Sequence, residues 1–203
     1  MDSAEKSTKL RLLEAGEELL AKQGLPGLSM RKLGAMVGLS QAAIYRHFTN
    51  KEELLRAILQ AGYERLVIAL RTVFEDASLS PPQKVSQGFR AYISYVRESP
   101  DVYKAVILQD SGPAKDQVHS MQRDISKHRE TFSMMVQVLK DGMDQGYFVP
   151  ANPELTALAI WSALTGLATR FVIERSIEPL LQEQIFDRFC AIILGGLMYE
   201  ANE

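Results

Sequence analysis

Residues 29–51, SMRKLGAMVGLSQAAIYRHFTNK, decide how this chain is read. Ser29 stands where it can cap a helix, its hydroxyl oxygen accepting from a free backbone N–H at the helix start. Leu33, Met36 and Val37 follow at i, i+3 and i+4, the spacing of one apolar helical face. Gly38 comes directly after them, where a chain leaving a helix needs a left-handed residue that glycine takes without strain. Leu39 can plug the space between this helix and the next, and Ser40 is a second N-cap opening a helix over 41–48. There Ile44 and Phe48 are four apart and turn inward, which leaves Gln41, Ala42, Tyr45, Arg46 and His47 on or near the outer face.

Two short helices meeting steeply through a glycine-containing turn form a helix-turn-helix, whose second helix can enter the DNA major groove. On such a face Gln41 can read an adenine with two hydrogen bonds, Ala42 can touch a thymine methyl, and Arg46 can read guanine or grip a phosphate. Tyr45, His47 and Lys51 can hold phosphates, Lys51 from a helix start where backbone N–H groups also point outward. The plain alternatives are partial core packing for Tyr45 and His47 and solvated surface for Gln41.

The residues 33–40, LGAMVGLS, then Ile44-Tyr45-Arg46-His47-Phe48, then Lys51-Glu52-Glu53-Leu54-Leu55 resemble the TetR family of bacterial transcriptional repressors. That family carries the pattern I-A-x-x-A-G-V-S-x-x-x-L-Y-x-H-F-x-x-K-E-x-L. Gly34 and Val37 depart from it, each standing where the family usually has alanine. Gly34 keeps a small helix contact but weakens its helix by about 1 kcal/mol relative to alanine. The resemblance implies that Gln41, Ala42 and Ala43, with the more variable Arg46, lie near base edges. It implies that Ser29, Ser40, Tyr45, His47 and Lys51 hold the DNA backbone.

Hydrophobic residues are 46% and charged residues 24% of the 203, ordinary for a globular protein. The single cysteine, Cys190, excludes an internal disulfide. The longest unbroken apolar run, 189–199, is too short to span a bilayer, and the first nine residues lack the apolar core of a signal peptide. A cytoplasmic protein is expected. Net charge is −2, but residues 1–51 hold eight Lys and Arg against five Asp and Glu, and the remainder 15 against 20. That asymmetry agrees with a locally basic DNA face.

In chain order, a bracing helix is expected over 8–22 through Leu12, Ala15, Leu19 and Leu20, ended by Gly24. Lys9 and Arg11 near its start can reach a phosphate or remain solvated. A long connector helix runs from Lys51 to about residue 76, so the head is placed at 1–50 and a helical body at 51–203. Further helices are expected over 82–99, 100–109, 114–145, 153–176 and 179–199, each opened by Pro or by a Pro-containing break. No strand pattern or repeat appears, and the fold class is all-α with about nine helices.

Within the body, Phe89, Tyr92, Tyr103, Met121, Phe132, Met135, Trp161 and Thr165 are the candidates for lining a small-molecule pocket, with Met134 nearby; plain core is the alternative for each. The resemblance implies an inducer pocket here, and an apolar, aromatic lining suits a hydrophobic or aromatic ligand. It also implies that the last two helices pair with their copies in a homodimer, through Ala163, Leu167, Phe186, Phe189, Ile193 and Leu197. The segment from Trp161 to Gly166 is similar to the Trp-x-x-x-His-Gly signature of one TetR subgroup, with Thr165 in place of the histidine.

No cofactor or metal is expected. Asp124 and His128 are four apart on one helix but lack companions of metal-ligand spacing, and Cys190 lies in an apolar helix as a buried thiol. No phosphate-binding glycine loop or nucleophile elbow is present. The leading reading is a non-enzymatic repressor that binds a palindromic operator and is released by ligand. The competing reading is an all-α small-molecule-binding protein or enzyme with an incidental helix-turn-helix corner.

Overall fold

The computed structural model describes residues 2–98, 100, 103, 130–174 and 176–198, with side chains from residue 7 onward. Within these the chain is all-α: α1 (Asp2–Gly27), α2 (Met30–Val37), α3 (Gln41–Tyr45), α4 (Lys51–Phe74), α5 (Pro81–Glu98), α6 (Glu130–Asp144), α7 (Pro153–Ile173) and α8 (Pro179–Leu197). The only β pairing among the described residues is one isolated bridge, Phe148 to Met198. Apart from residues 100 and 103, the helices expected over 100–109 and over the first part of 114–145 lie outside the described residues, as does Met121. The chain forms two compact units, one running to Arg65 within α4 and the other taking in Leu66–Glu98 and α6 to α8.

The first unit is built on Leu12, Ala15, Leu19 and Leu20 of α1, Leu33 of α2, Ile44 of α3, Phe48, and Leu54, Leu55 and Ile58 of α4. The regular course of α1 breaks at Gly24, whose φ of 65° no helix contains. The caps of the next two helices form as their sequence directs. Ser29 Oγ accepts from Lys32 N at 3.2 Å, and Ser40 Oγ accepts from Ala43 N at 3.2 Å. Gly38 takes the left-handed conformation (φ 71°, ψ 31°). The inward face of α2 runs through Met30, Leu33 and Gly34, with Val37 partly buried. Met36 falls between those positions and is 41% exposed, so it is not part of the inward face the spacing suggested.

Helix α3 stops at Tyr45, three residues earlier than expected. His47 N donates to Ile44 O at 2.8 Å, three residues back, which tightens the chain into a turn. Ile44 and Phe48 still reach the core, at 0% and 1% exposure. Asn50 then caps α4, its side-chain oxygen accepting from Glu53 N at 2.8 Å, while the Glu53 carboxylate accepts from Thr49 N (2.6 Å) and Thr49 Oγ1 (2.7 Å).

In the second unit, α5 buries Val85, Phe89, Tyr92, Ile93 and Val96, and α6 buries Thr131, Met135, Val138 and Leu139. Arg97 and Arg90 of α5 pair with Glu183 of α8 at 2.6 and 2.9 Å. The bond from Arg97, then that from Arg90, holds the Glu183 carboxyl below its usual range. Helix α7 is long and apolar enough by length and composition to cross a membrane. Its packing gives another reason for that composition: Ala157, Ile160, Leu164, Ala168, Phe171 and Val172 are core residues of this unit.

Gly34 is a close-approach residue. A Cβ there would lie 2.7 Å from Leu39 O and 2.9 Å from Ile44 Cδ1, while Leu39 N donates to Gly34 O at 3.0 Å. Helix propensity favours alanine by about 1 kcal/mol, but overpacking against a backbone oxygen costs about 1–3 kcal/mol. Gly34→Ala is therefore expected to lower the melting temperature of the head, followed by circular dichroism, and to speed amide exchange in α2 and α3. A raised melting temperature would show that the two helices have room to part.

Candidate nucleic-acid interface and ligand cavity

The capped turn puts the candidate reading residues on the outside of α3. Gln41, Ala42, Tyr45 and Arg46 are exposed, and Ala43 and His47 are half-buried beside the inward Ile44. Tyr45 is 45% exposed. Ser29 and Ser40 each use a hydroxyl lone pair on their helix cap, which leaves the O–H free to donate outward. Lys51 is also exposed, but its ammonium donates to Leu25 O at 2.6 Å. It thereby ties the start of α4 to the last residues of α1, with two N–H donors to spare.

Arg11 has a use that the sequence did not show. Its guanidinium donates to Val37 O at 3.0 Å, a carbonyl in the last turn of α2, where the helix leaves acceptors without partners. Lys9 lies over the Phe48 ring, 5.9 Å from its centre. Both were phosphate candidates from sequence, and both are turned toward the turns that present α3. No sequence signal marks such bonds, since Arg11 and Val37 are 26 residues apart.

An apolar cavity lies in the second unit. It is lined by Leu70 and Phe74 of α4, Gly88 and Tyr92 of α5, Thr131, Phe132 and Met135 of α6, and Ala157, Ile160, Trp161 and Leu164 of α7. Its space open to water is about 10 Å³, the scale of one water molecule. Tyr92, Phe132, Met135 and Trp161, four of the expected lining residues, do line it, with the Tyr92 and Trp161 rings edge-on at 5.2 Å between centres. Phe89 is wholly buried against Phe189, 5.6 Å between ring centres, and belongs to the core. Tyr103 is buried and groups with the first unit. Thr165 lies one turn beyond Trp161, and its hydroxyl is shut off from water with no hydrogen-bond partner. Sequence reading passed over Leu70, Phe74, Ile160 and Leu164, because a cavity wall and a core face share one apolar spacing.

Of the residues expected at a dimer surface, Ala163 is exposed and Leu167, Phe189 and Ile193 are half-buried. Phe186 and Leu197 lie in the subunit's own core; the Arg90 guanidinium sits 4.6 Å from the Phe186 ring centre, and Leu197 O accepts from Val149 N at 2.8 Å. The large apolar side chains left open on α7 and α8 are Leu155, Leu158, Ile173, Leu180, Leu181 and Ile192. Asp124 and His128 lie outside the described residues, and among those described no cluster of His, Cys, Asp or Glu could hold a metal. Burial pushes the Cys190 thiol up to about 11, against a small opposing effect of Arg90.

Residues 12–58 match the pattern of bacterial regulatory proteins of the tetR family, and residues 85–191, more than half of the chain, match the tetracyclin repressor-like C-terminal domain. The chain belongs to the TetR family. The TetR relatives include the HTH-type transcriptional repressor KstR2 of Mycobacterium tuberculosis, 24% identical over 96% of this chain and 94% of that protein. They also include the HTH-type transcriptional regulator UidR of Escherichia coli, 22% identical over 98% and 96%. Among solved structures, the fatty acid degradation regulator FadR of Bacillus halodurans shares the fold with a TM-score of 0.77 at 19% identity, over 92% of this chain and 98% of that one. These matches identify a ligand-responsive, DNA-binding transcriptional regulator and disfavour an incidental helix-turn-helix corner. They do not assign the chain to the Trp-His-Gly subgroup.

Two outcomes follow from this TetR geometry. Arg11→Ala is expected to lower head stability and weaken binding to all duplexes alike, while the dependence of log K on log salt keeps its slope. A slope reduced by about one would instead show a phosphate contact. Cys190 is expected to stay protonated and resist iodoacetamide at pH 8 in the native protein and to react once unfolded in urea; equal rates would contradict its burial.

Proposed function

We propose that this regulator is a cytoplasmic homodimer that represses transcription from a palindromic operator and lets go when a small apolar molecule enters its body. In this reading the head is 1–50, carried on the connector helix, and the body is 51–203. Gln41, Ala42, Ala43 and Arg46 read base edges, and Ser29, Ser40, Tyr45, His47 and Lys51 hold the backbone. The exposure of Gln41, Ala42 and Tyr45 on α3, with Arg46 exposed at its C-terminal cap, supports this.

The exposed apolar row on α7 and α8 supports pairing with a second copy. Gly166, Gly195 and Gly196 have open space where a Cβ would stand, so a facing helix can come close. Both subunits then present their α3 helices to half-sites about 34–36 Å apart, or a multiple of that.

The observation that carries the ligand response is the course of α4. This 24-residue helix supplies Leu54, Leu55 and Ile58 to the head core and Leu70 and Phe74 to the cavity wall. A ligand larger than a water must displace the lining side chains, and close-packed interiors respond by shifting elements. Moving α4 moves the residues beneath α3. The effect on DNA equals the ligand's differential affinity for the two arrangements. The apolar lining suits an uncharged apolar compound, the class of the ketosteroids for which the relative KstR2 is named.

Tyr45→Phe is expected to weaken binding to every duplex about equally, and Gln41→Ala to change the preferred base at one position of each half-site by about 1–3 kcal/mol. Binding of both variants to a set of single-base operator variants decides the matter. Equal losses on every base after Gln41→Ala would overturn its reading role.

A further inference from the structure

Thr165 breaks a habit that its own helix keeps. Thr156 Oγ1 returns its proton to Asn152 O at 2.8 Å, and Ser162 Oγ to Leu158 O at 2.9 Å, the usual course for a hydroxyl in a helix. Thr165 Oγ1 makes no such bond and is closed to water. An unmade buried hydrogen bond destabilises a protein, so each rare instance calls for an explanation, such as a group that completes the bond when it binds. Thr165 follows the lining residue Leu164 and lies one turn beyond the lining residue Trp161, on the same side of α7.

The eleven described residues of the cavity wall carry no formal charge. An ionised group brought among them would lose its hydration and meet no counter-ion from these described residues, whereas a neutral oxygen loses far less and can recover it in one hydrogen bond. From the uncharged wall and the unpartnered hydroxyl together, we infer that the ligand is an uncharged, mainly apolar molecule with one hydroxyl or carbonyl oxygen. The apolar part parts the packing of Phe132, Met135 and Trp161, and the oxygen completes the hydrogen bond of Thr165. This rests on the cavity being the regulator's ligand site and adds the ligand's charge class and its anchoring residue.

Trp161 is the sole tryptophan of the chain, so its emission reports on this cavity alone. The full-length protein is titrated at pH 7.5 with 1-decanol, methyl decanoate and sodium decanoate, which share a chain length and differ in their head group. The alcohol and the ester are expected to shift Trp161 emission and to bind at least tenfold more tightly than the carboxylate. Thr165→Val is expected to weaken 1-decanol binding about tenfold while the unliganded protein melts at the same or a higher temperature; Thr165→Ser is expected to retain binding. A threonine with a merely structural role would give a lower melting temperature in Thr165→Val and an unmoved ratio of alcohol to carboxylate affinity.

Decanoate binding as tightly as the alcohol would overturn the charge class and leave the cavity as the ligand site. Unchanged 1-decanol affinity in Thr165→Val would overturn the anchor. If no probe moves Trp161 emission while the protein still binds its operator, the cavity is not the ligand site and the inference falls, with the DNA reading untouched.

Discussion

A five-residue helix cannot hold itself in water, where even good helix formers need about 12–15 residues. Everything that α3 presents therefore depends on Ile44 and Phe48 being clamped between α1, α2 and α4. Those two side chains are the inner surface of the element whose outer surface carries Gln41, Ala42, Tyr45 and Arg46. Replacing a buried isoleucine or phenylalanine by alanine removes about 2–5 kcal/mol, against a total stability of about 5–15 kcal/mol for a whole domain. The exposed face of α3 and the core beneath it are one structural fact.

The same logic explains the polar bonds around the head. Lys51 to Leu25 O and Arg11 to Val37 O each link a charged side chain to a carbonyl at a chain turn. They fix where α2 ends and α4 begins, and so where α3 stands between them. Cationic side chains near a DNA face are readily taken for phosphate contacts. Here two of them first satisfy the protein's own backbone, which makes orientation and affinity hard to separate by mutation unless the salt dependence is followed. In the second unit the roles reverse: there the polar bonds of Arg90 and Arg97 lie on the outside, and the interior is left to apolar packing around the cavity.

Much of the head was legible because short-range chemistry dictates it. Ser29, Gly38 and Ser40 are capping residues at fixed spacing, and each does what its position in the chain requires. The overrun of α3 past Tyr45 has a local cause: i, i+4 spacing of Ile44 and Phe48 survives the turn at His47, so periodicity could not see the helix end. Gly34 was legible as small, but its close approach to Leu39 O and Ile44 Cδ1 was not, since those neighbours meet it only after folding. In the body, Tyr92, Phe132, Met135 and Trp161 stood out by size and adaptability, while nothing in the sequence set Phe74, Ile160 and Leu164 apart from other apolar helix positions. Phe186 and Leu197 read as surface partners and proved to be interior, because a wide apolar stripe on α8 does not say which side meets its own subunit.

In the proposed function, two copies of this chain, joined through their bodies, read two half-sites with α3. The most direct test is to select duplexes bound by the purified protein from a random pool at near-physiological salt and to sequence them. The expected result is a palindrome whose half-sites are separated by about one helical turn or a multiple of it. Retention of all duplexes alike, with affinity that vanishes as salt is raised, would show non-specific phosphate attraction only and would contradict it.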